Sequence, residues 1–173
     1  LFKQKPKIKK YDLLKLNKKK IICVIPEVYF GECYKLFKFS IDCAYADEKN
    51  YFIWRFHPLT NFKQLNKKIN LKDNLPKNII VSKKTLEEDL QISHIALYRG
   101  SASILEAMRI GIIPIYFKIK DEFNIDIVEE AGKNYEWNVR TESIINFYKQ
   151  MTNYFFVLTY TFFNILDFTT LNF

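Results

Sequence analysis

The chain has 173 residues, of which 49% are hydrophobic and 27% charged, a length and composition typical of one globular domain with an apolar core. Its net charge of +8 lies at one end, because residues 1–20 contain nine Lys and one Asp, whereas the other 153 residues carry 18 basic and 18 acidic side chains. No basic stripe interleaved with aromatic residues follows residue 20, which argues against a nucleic-acid partner.

The lysine-rich segment 1–20 precedes the first predicted strand. We predict a basic leader or linker that is solvated, with contact to an anionic membrane surface as the alternative. The segment lacks the apolar core of a signal peptide, and Cys23, Cys33 and Cys43 lack the spacing of a metal site. We therefore expect free thiols in a reducing, cytoplasmic compartment, with peripheral contact at the inner face of the membrane left open.

Short apolar runs alternate with amphipathic stretches after this segment. The apolar runs predict five strands, at 21–27, 51–58, 78–82, 94–99 and 112–117. The amphipathic stretches predict five helices, at 31–46, 59–69, 85–93, 101–110 and 141–151. Strands separated by helices form right-handed βαβ units. We therefore predict an α/β fold, a Rossmann-like three-layer sandwich with a mainly parallel sheet, over residues 21–153.

Two of the predicted helices begin at a threonine and a third at a serine. Thr85 and Thr141 are predicted N-caps. Ser103 and Glu106 have the S-x-x-E spacing of a capping box, which explains both residues without a ligand. The aromatic tail at 154–173 contains Asn and Asp, so we predict a packed helix or a docking face there in preference to a membrane-spanning helix.

Ligands of open parallel sheets bind outside the carboxyl ends of the strands, so the residues that follow each predicted strand are candidates for a site. These residues are Glu27 and Glu32 after the first strand, Arg55 and His57 at the end of the second, Ser82 after the third, and Arg99, Gly100, Ser101, Ala102 and Ser103 after the fourth. Glu106 follows one helical turn later. We expect all of them at one rim of the sheet.

The chemistry of these residue types indicates an anion site. Small residues in the turn 100–103 allow a phosphate to approach the first N–H groups of the next helix. The chain has 23 Lys and only four Arg, and Arg55 and Arg99 are the two that lie beside candidate motifs. Their planar guanidinium groups bind anions through two parallel hydrogen bonds, which Lys cannot reproduce.

The titratable candidates each have a second, structural interpretation. His57 can donate to a phosphate or act as an acid or base, or it can be a strand-end histidine bonded to a neighbouring carbonyl. Glu27 and Glu32 are candidate general bases, although carboxylates at the start of a helix are also favoured by the helix dipole alone. His94 opens a predicted strand at the opposite end, where we predict a structural role.

Two segments carry a resemblance to a known family. "ALYRGSASILEAMRIGIIPIYF" (96–117) resembles the donor-binding segment of GT-B glycosyltransferases, and "FIWRFHP" (52–58) resembles the His-Pro motif of bacterial sialyltransferases and other capsule, surface-polysaccharide and lipopolysaccharide enzymes. The resemblance covers residues 21–150 and identifies the chain as similar to the C-terminal, donor-binding domain. It implies an inverting transfer from a nucleotide sugar to a glycan or lipid-linked acceptor, without a metal or other cofactor.

The resemblance also implies roles for single residues. Gly100, Ser101, Ala102 and Ser103 would hold the phosphate of the donor, Glu106 would bind the ribose hydroxyls, and His57 would contact phosphate. Ser82 would lie near the base.

The sequence departs from the family in two respects. The family has an acceptor-binding N-terminal domain beside the donor-binding one, whereas this sequence predicts a single Rossmann-like unit, so we expect that domain or a partner chain to be supplied separately. The turn at 100–103 also contains less glycine than the turn of some relatives. Two alternatives remain open: a nucleotide-sugar 2-epimerase, and a non-catalytic GT-B-like module that docks on a partner or a membrane.

Overall fold

Six strands and four complete helices follow one another in the computed structural model, which describes residues 19–60, 62–69, 75–129 and 139–151. They are β1 (Ile21–Ile25), α1 (Phe30–Ala46), β2 (Tyr51–Trp54), α2 (Phe62–Ile69), β3 (Ile79–Val81), α3 (Leu86–Ile92), β4 (Ile95–Tyr98), α4 (Ile104–Arg109), β5 (Ile113–Phe117) and β6 (Val139–Thr141). Residues 144–151 are also helical. Nearly all of the predicted leader and the whole of the predicted tail lie outside the described residues.

The six strands form one sheet in the order β3-β2-β1-β4-β5-β6, and every neighbouring pair is parallel. The chain moves outward from β1 to β3 and then returns to β4 on the other side of β1. This order confirms the predicted Rossmann-like parallel α/β fold, and it places a topological switch point between β1 and β4.

Alternate residues of β1 face opposite layers of the sandwich. Ile22 and Val24 pack in one cluster with residues of α1, with Leu65 of α2 and with Phe147. Cys23 and Ile25 pack in a second cluster with residues of α3 and α4. Because both faces of the strand are covered by helices, its sequence is a continuous apolar run without alternation.

The polar groups on the α1 face of the core have hydrogen-bond partners. The indole N–H of Trp54 donates to Ser40 Oγ at 2.9 Å, and this hydroxyl donates to the carbonyl of Phe37 at 2.8 Å. The rings of Phe37 and Trp54 lie 4.4 Å apart between centroids. A buried indole and hydroxyl therefore keep their hydrogen bonds while the aromatic rings pack.

Of the three predicted helix caps, one is confirmed and two are wrong. Thr85 caps α3 as predicted, and Glu88 completes a capping box with it. The predicted capping box of α4 is wrong: Ser103 has helical backbone angles and makes no side-chain cap, because the turn already begins at Ser101, whose carbonyl accepts from Ile104 N at 3.2 Å.

The last predicted helix begins later than expected. Thr141 is the end of β6 and not an N-cap, and the strand Val139–Thr141 was not predicted. Ser143 replaces it as the cap, since its Oγ accepts from Asn146 N at 3.2 Å. His94 has the predicted structural role: its Nδ1 accepts from Ile21 N at 3.1 Å at the amino end of the sheet.

Candidate functional site

The loops that leave β1, β2, β4 and β5 contact one another at the carboxyl edge of the sheet. The hydroxyl of Thr60, after β2, donates to the carbonyl of Val28, after β1, at 3.3 Å. Gly100, after β4, lies against Glu27 and Ile125 so closely that a Cβ built on it would be 3.0 Å from a side-chain carbon of each. The switch point is therefore enclosed by loops from both halves of the sheet.

Gly100 is required at this place for two separate reasons. Its φ of +76° lies in the left-handed region, which costs an L-residue about 1–2 kcal/mol. The contact with Glu27 and Ile125 also leaves no ordinary room for a side chain. The space beside the Gly100 Cα is therefore filled by the side chains of Glu27 and Ile125.

Arg99 is 2% exposed and all of its described contacts are within the protein. Its guanidinium group pairs with Glu32 and with Glu122, the latter at 2.7 Å. It also donates to the carbonyl of Phe117 at 3.1 Å and to the Tyr116 hydroxyl at 3.3 Å. The sequence-predicted contact of Arg99 with a phosphate would require it to exchange one of these carboxylates for the ligand.

Lys35 completes this ion-pair network from the second turn of α1. Its ammonium group lies 2.8 Å from a carboxylate oxygen of both Glu32 and Glu122. Burial alone would raise the pKa of Glu32, but the hydrogen bonds from Lys35 and Arg99 outweigh it and lower that pKa. The hydrogen bonds that Lys35 donates to Glu122 and Glu32 raise the pKa of Lys35. Glu32 is thus a stable anion and a weaker proton acceptor than an isolated carboxylate.

Glu27 is the other carboxylate that follows β1, and it is half-buried. It accepts a hydrogen bond from the backbone N–H of Tyr29. In the described residues it forms no ion pair within 4.0 Å, in contrast to Glu32. Of the two predicted bases, Glu27 is therefore the one that can accept a proton without breaking an ion-pair network.

The ring of His57 is oriented by its own loop. Its Nδ1 accepts from the backbone N–H of Leu59 at 3.2 Å, and its carbonyl accepts from Thr60 N at 2.7 Å. A neutral imidazole with Nδ1 as acceptor carries its proton on Nε2. Since the side chain is half-exposed, this N–H is a donor placed at the carboxyl edge of the sheet.

Arg55 and Ser82 stabilise the segment between β3 and α3. Arg55 donates to the carbonyls of Lys84 and Thr85, at 3.0 and 2.9 Å, and pairs with the buried Asp89. Ser82 Oγ accepts from Lys84 N at 3.0 Å. These bonds position the start of α3, and those of Arg55 are all made by Nη1, one nitrogen of the guanidinium group that the sequence suggested for the donor.

The turn 101–103 leads into a short helix. Ser101 is buried and Ala102 is exposed, and α4 itself has six residues. The side chain of Glu106 is 41% exposed, its carboxylate pairs with Arg109 at 2.6 Å, and the hydrogen bond from Arg109 lowers the pKa of Glu106. Glu106 is therefore an accessible anion one turn beyond the small-residue turn, and its predicted contact with ribose stays a prediction.

Three participants at this edge were not found by sequence reasoning: Lys35, Tyr116 and Glu122. Lys35 stands three residues after Glu32, a spacing at which helical side chains pair, so it could have been found. Tyr116 and Glu122 carry no such signal. Within the described ranges, no three His, Cys, Asp or Glu side chains are grouped to hold a metal ion, and no helix is long and apolar enough to cross a bilayer.

Comparisons with known proteins give information on the fold of the chain and none on its candidate site. No protein-family model and no curated protein matches the sequence. Among solved structures, the chain is similar to a candidate UDP-N-acetylglucosamine 2-epimerase from Listeria monocytogenes, with 14% identity and a TM-score of 0.51. The match covers 83% of this chain and 40% of that chain, so this chain spans less than half of its length. At this identity the likeness shows a shared Rossmann-like fold alone.

Proposed function

We propose that the carboxyl edge of the sheet binds a nucleotide sugar, and that the chain is the donor-binding part of a glycosyltransferase that acts in bacterial surface-carbohydrate biosynthesis, on polysaccharide or lipopolysaccharide. The observation that carries the proposal is the close contact of the β1 and β4 loops at the switch point, around Gly100. The shared fold with a protein named for a nucleotide sugar supports the same ligand class.

The phosphates of the donor would lie on the turn after β4. Backbone N–H groups of Ser101, Ala102 and Ser103 are the proposed donors there, together with Nε2–H of His57. Because α4 has only six residues, its dipole is small, and directed hydrogen bonds carry more of the binding. Arg99 would act indirectly, by holding Glu32 and Glu122 in place.

The nucleoside would extend from this turn toward α3 and α4. The exposed carboxylate of Glu106 would accept hydrogen bonds from the ribose hydroxyls. Ser82 would lie near the base, in a segment that Arg55 holds through the carbonyls of Lys84 and Thr85. The backbone of this segment is thereby preorganised, which lowers the entropy cost of binding.

Transfer requires a base that removes the proton from the acceptor hydroxyl. We propose Glu27 for this role in preference to Glu32, because Glu32 is held as an anion by two cations. A glycan or lipid-linked acceptor would be supplied at a second domain or partner chain. The proposal includes no metal ion, so EDTA should leave donor binding unchanged.

Calorimetric titration of the chain with UDP-, CMP- and GDP-sugars tests the proposal. We expect binding that is selective for one base and weakened at least fivefold by His57→Asn. Asn can still accept the Leu59 N–H through its side-chain oxygen, so the loop keeps its bond while the Nε2–H donor is lost. Absence of binding by all three classes would leave the non-catalytic module as the function and would contradict the proposal.

A 2-epimerase is the second candidate, because the similar structure is named as one. Incubation with UDP-N-acetylglucosamine distinguishes the two. An epimerase inverts the configuration at C2 without an acceptor, whereas a donor-binding domain leaves the sugar unchanged. Proton NMR of the sugar detects the inversion directly.

A further inference from the structure

The outer corner of the carboxyl edge carries exposed apolar side chains on two adjacent loops. Tyr29 is 70% exposed and Leu59 is 76% exposed, and Val28 is also exposed. The Thr60 hydroxyl donates to the Val28 carbonyl and so holds the two loops together. Large apolar side chains grouped at one exposed place indicate an interaction surface.

Helix α2 follows the second of these loops and adds positive charge to the same corner. Its charged side chains are all lysines: Lys63, Lys67 and Lys68. They are exposed, whereas Leu65 is fully buried against the core. Lys63 and Lys67 are four residues apart and share one side of the helix, whereas Lys68 lies about 100° further around the helix, toward α1.

An open groove of about 530 Å³ lies between α2 and the first turn of α1. It is lined by Phe30, Gln64, Lys67 and Lys68. The ammonium of Lys68 lies 4.5 Å from the ring centre of Tyr34 and 5.5 Å from that of Phe30. One cation, that of Lys68, is thus held beside aromatic rings immediately next to the exposed loops. We name the surface of Val28, Tyr29, Leu59, Lys63, Lys67 and Lys68 the α2 corner.

We propose that the α2 corner docks the protein on an anionic lipid bilayer. Interfacial binding combines apolar side chains that enter the headgroup region with lysines that face lipid phosphates, and the α2 corner presents both kinds of side chain together. A soluble polyanion would use the lysines but gain nothing from Tyr29 and Leu59. The inference does not depend on the nucleotide sugar, and the surface is defined by residues outside the predicted leader and tail.

Co-sedimentation of the full chain with vesicles tests the docking. The vesicles contain phosphatidylcholine alone or with phosphatidylserine. One variant replaces Lys63, Lys67 and Lys68 with Ala. Its matched control replaces three exposed lysines elsewhere, Lys38, Lys49 and Lys77, with Ala, so that both variants have the same net charge and the same leader. We expect a loss of binding to anionic vesicles on the order of fivefold for each lysine of α2, and a much smaller loss in the control.

A second pair of variants tests the apolar part. Tyr29→Ser with Leu59→Ser should lower binding to anionic vesicles several-fold, whereas Tyr45→Ser with Ile145→Ser, at other exposed positions, should not. Circular dichroism verifies that each variant is folded, and donor titration should be unchanged in the two lysine variants.

Three results would overturn the proposal. The first is an equal loss of vesicle binding in the two lysine variants. The second is unaltered vesicle binding after the Tyr29 and Leu59 changes. The third is binding to soluble poly-glutamate that depends on the same lysines as strongly as vesicle binding does. The last result would assign the α2 corner to an acidic macromolecule.

Discussion

Glu106 is a predicted ligand contact, and its carboxylate also forms a solvent-exposed ion pair with Arg109. An exposed pair contributes little to stability, so Glu106→Ala should leave the melting temperature almost unchanged. If the carboxylate binds ribose hydroxyls, the same variant should weaken donor binding by about 1–3 kcal/mol. Calorimetry of donor binding and a thermal melt measure the two effects.

Arg109→Ala is the matched control for this substitution. It breaks the same ion pair but retains the Glu106 carboxylate. Donor affinity should therefore stay within about twofold of the unmodified chain, a change of ~0.4 kcal/mol. Equal loss of affinity in both variants would mean that the ion pair, and not the carboxylate, matters to the ligand.

At the scale of the elements, the turn between β4 and α4 depends on Gly100. Gly100→Ala should destabilise the fold by at least about 1–2 kcal/mol from the positive φ, with a further cost from contact with Glu27 and Ile125. Gly111 has a φ of +85° at the other edge of the sheet, so Gly111→Ala shares the backbone strain. Only the Gly100 variant should also lose donor affinity. Denaturant unfolding measures the stability of both variants and calorimetry measures their donor binding. Equal loss of donor affinity in the two variants would contradict the prediction.

The ion-pair network around Arg99 connects α1 with the loop after β5. Its contribution to the free energy of unfolding should depend on pH. The pKa of Glu32 is lowered in the fold, so its contribution is present above the unfolded pKa and is lost as pH falls through the folded pKa. The free energy of unfolding should therefore decrease as pH falls below about 4.3, the ordinary value for Glu. Denaturant unfolding from pH 7 to 3 measures this decrease. Glu32→Gln should reduce the slope, and an unaltered slope would contradict the assignment.

The strands and the helix starts differ in how far the sequence predicts them. β1 and β5 are apolar runs buried on both faces, which local pattern reveals. The edge strand Val139–Thr141 has three residues and no pattern of its own. The S-x-x-E spacing at Ser103 failed because the preceding turn, fixed by tertiary contacts of Gly100, already sets the helical backbone.

The candidate site was predictable in position but not in its internal pairing. The ends of the predicted strands are sufficient to place Glu27, His57 and Arg99 at one edge of a parallel sheet. The partner of Arg99 was not predictable, because Glu122 lies in a loop without periodicity and 23 residues away. Local spacing reveals ion pairs within a helix, such as Glu32 with Lys35, and misses those between an element and a distant loop.

At the scale of the whole molecule, the described residues form one Rossmann-like unit, which in the proposed function would provide one wall of a cleft. We predict that the 173-residue chain binds donor but does not transfer sugar unaided, because transfer requires a second surface that excludes water and orients the acceptor. Radiolabelled donors with lipid-extract acceptors test this, with a complementary domain added in a parallel reaction. Robust turnover by the chain alone would mean that the acceptor site is formed by this chain or by a second copy of it.

The packing of Phe147 has a consequence for synthesis on the ribosome. This ring is fully buried between Phe39 and Phe52, and the hydroxyl of the next residue, Tyr148, donates to the Cys43 carbonyl across 105 positions of chain. The aromatic face of α1 therefore leaves the exit tunnel long before the segment that covers it. A nascent chain that stalls before residue 144 has left the tunnel would expose that face to chaperones. Emergence of residues 144–151 from the tunnel would allow Phe147 to cover it.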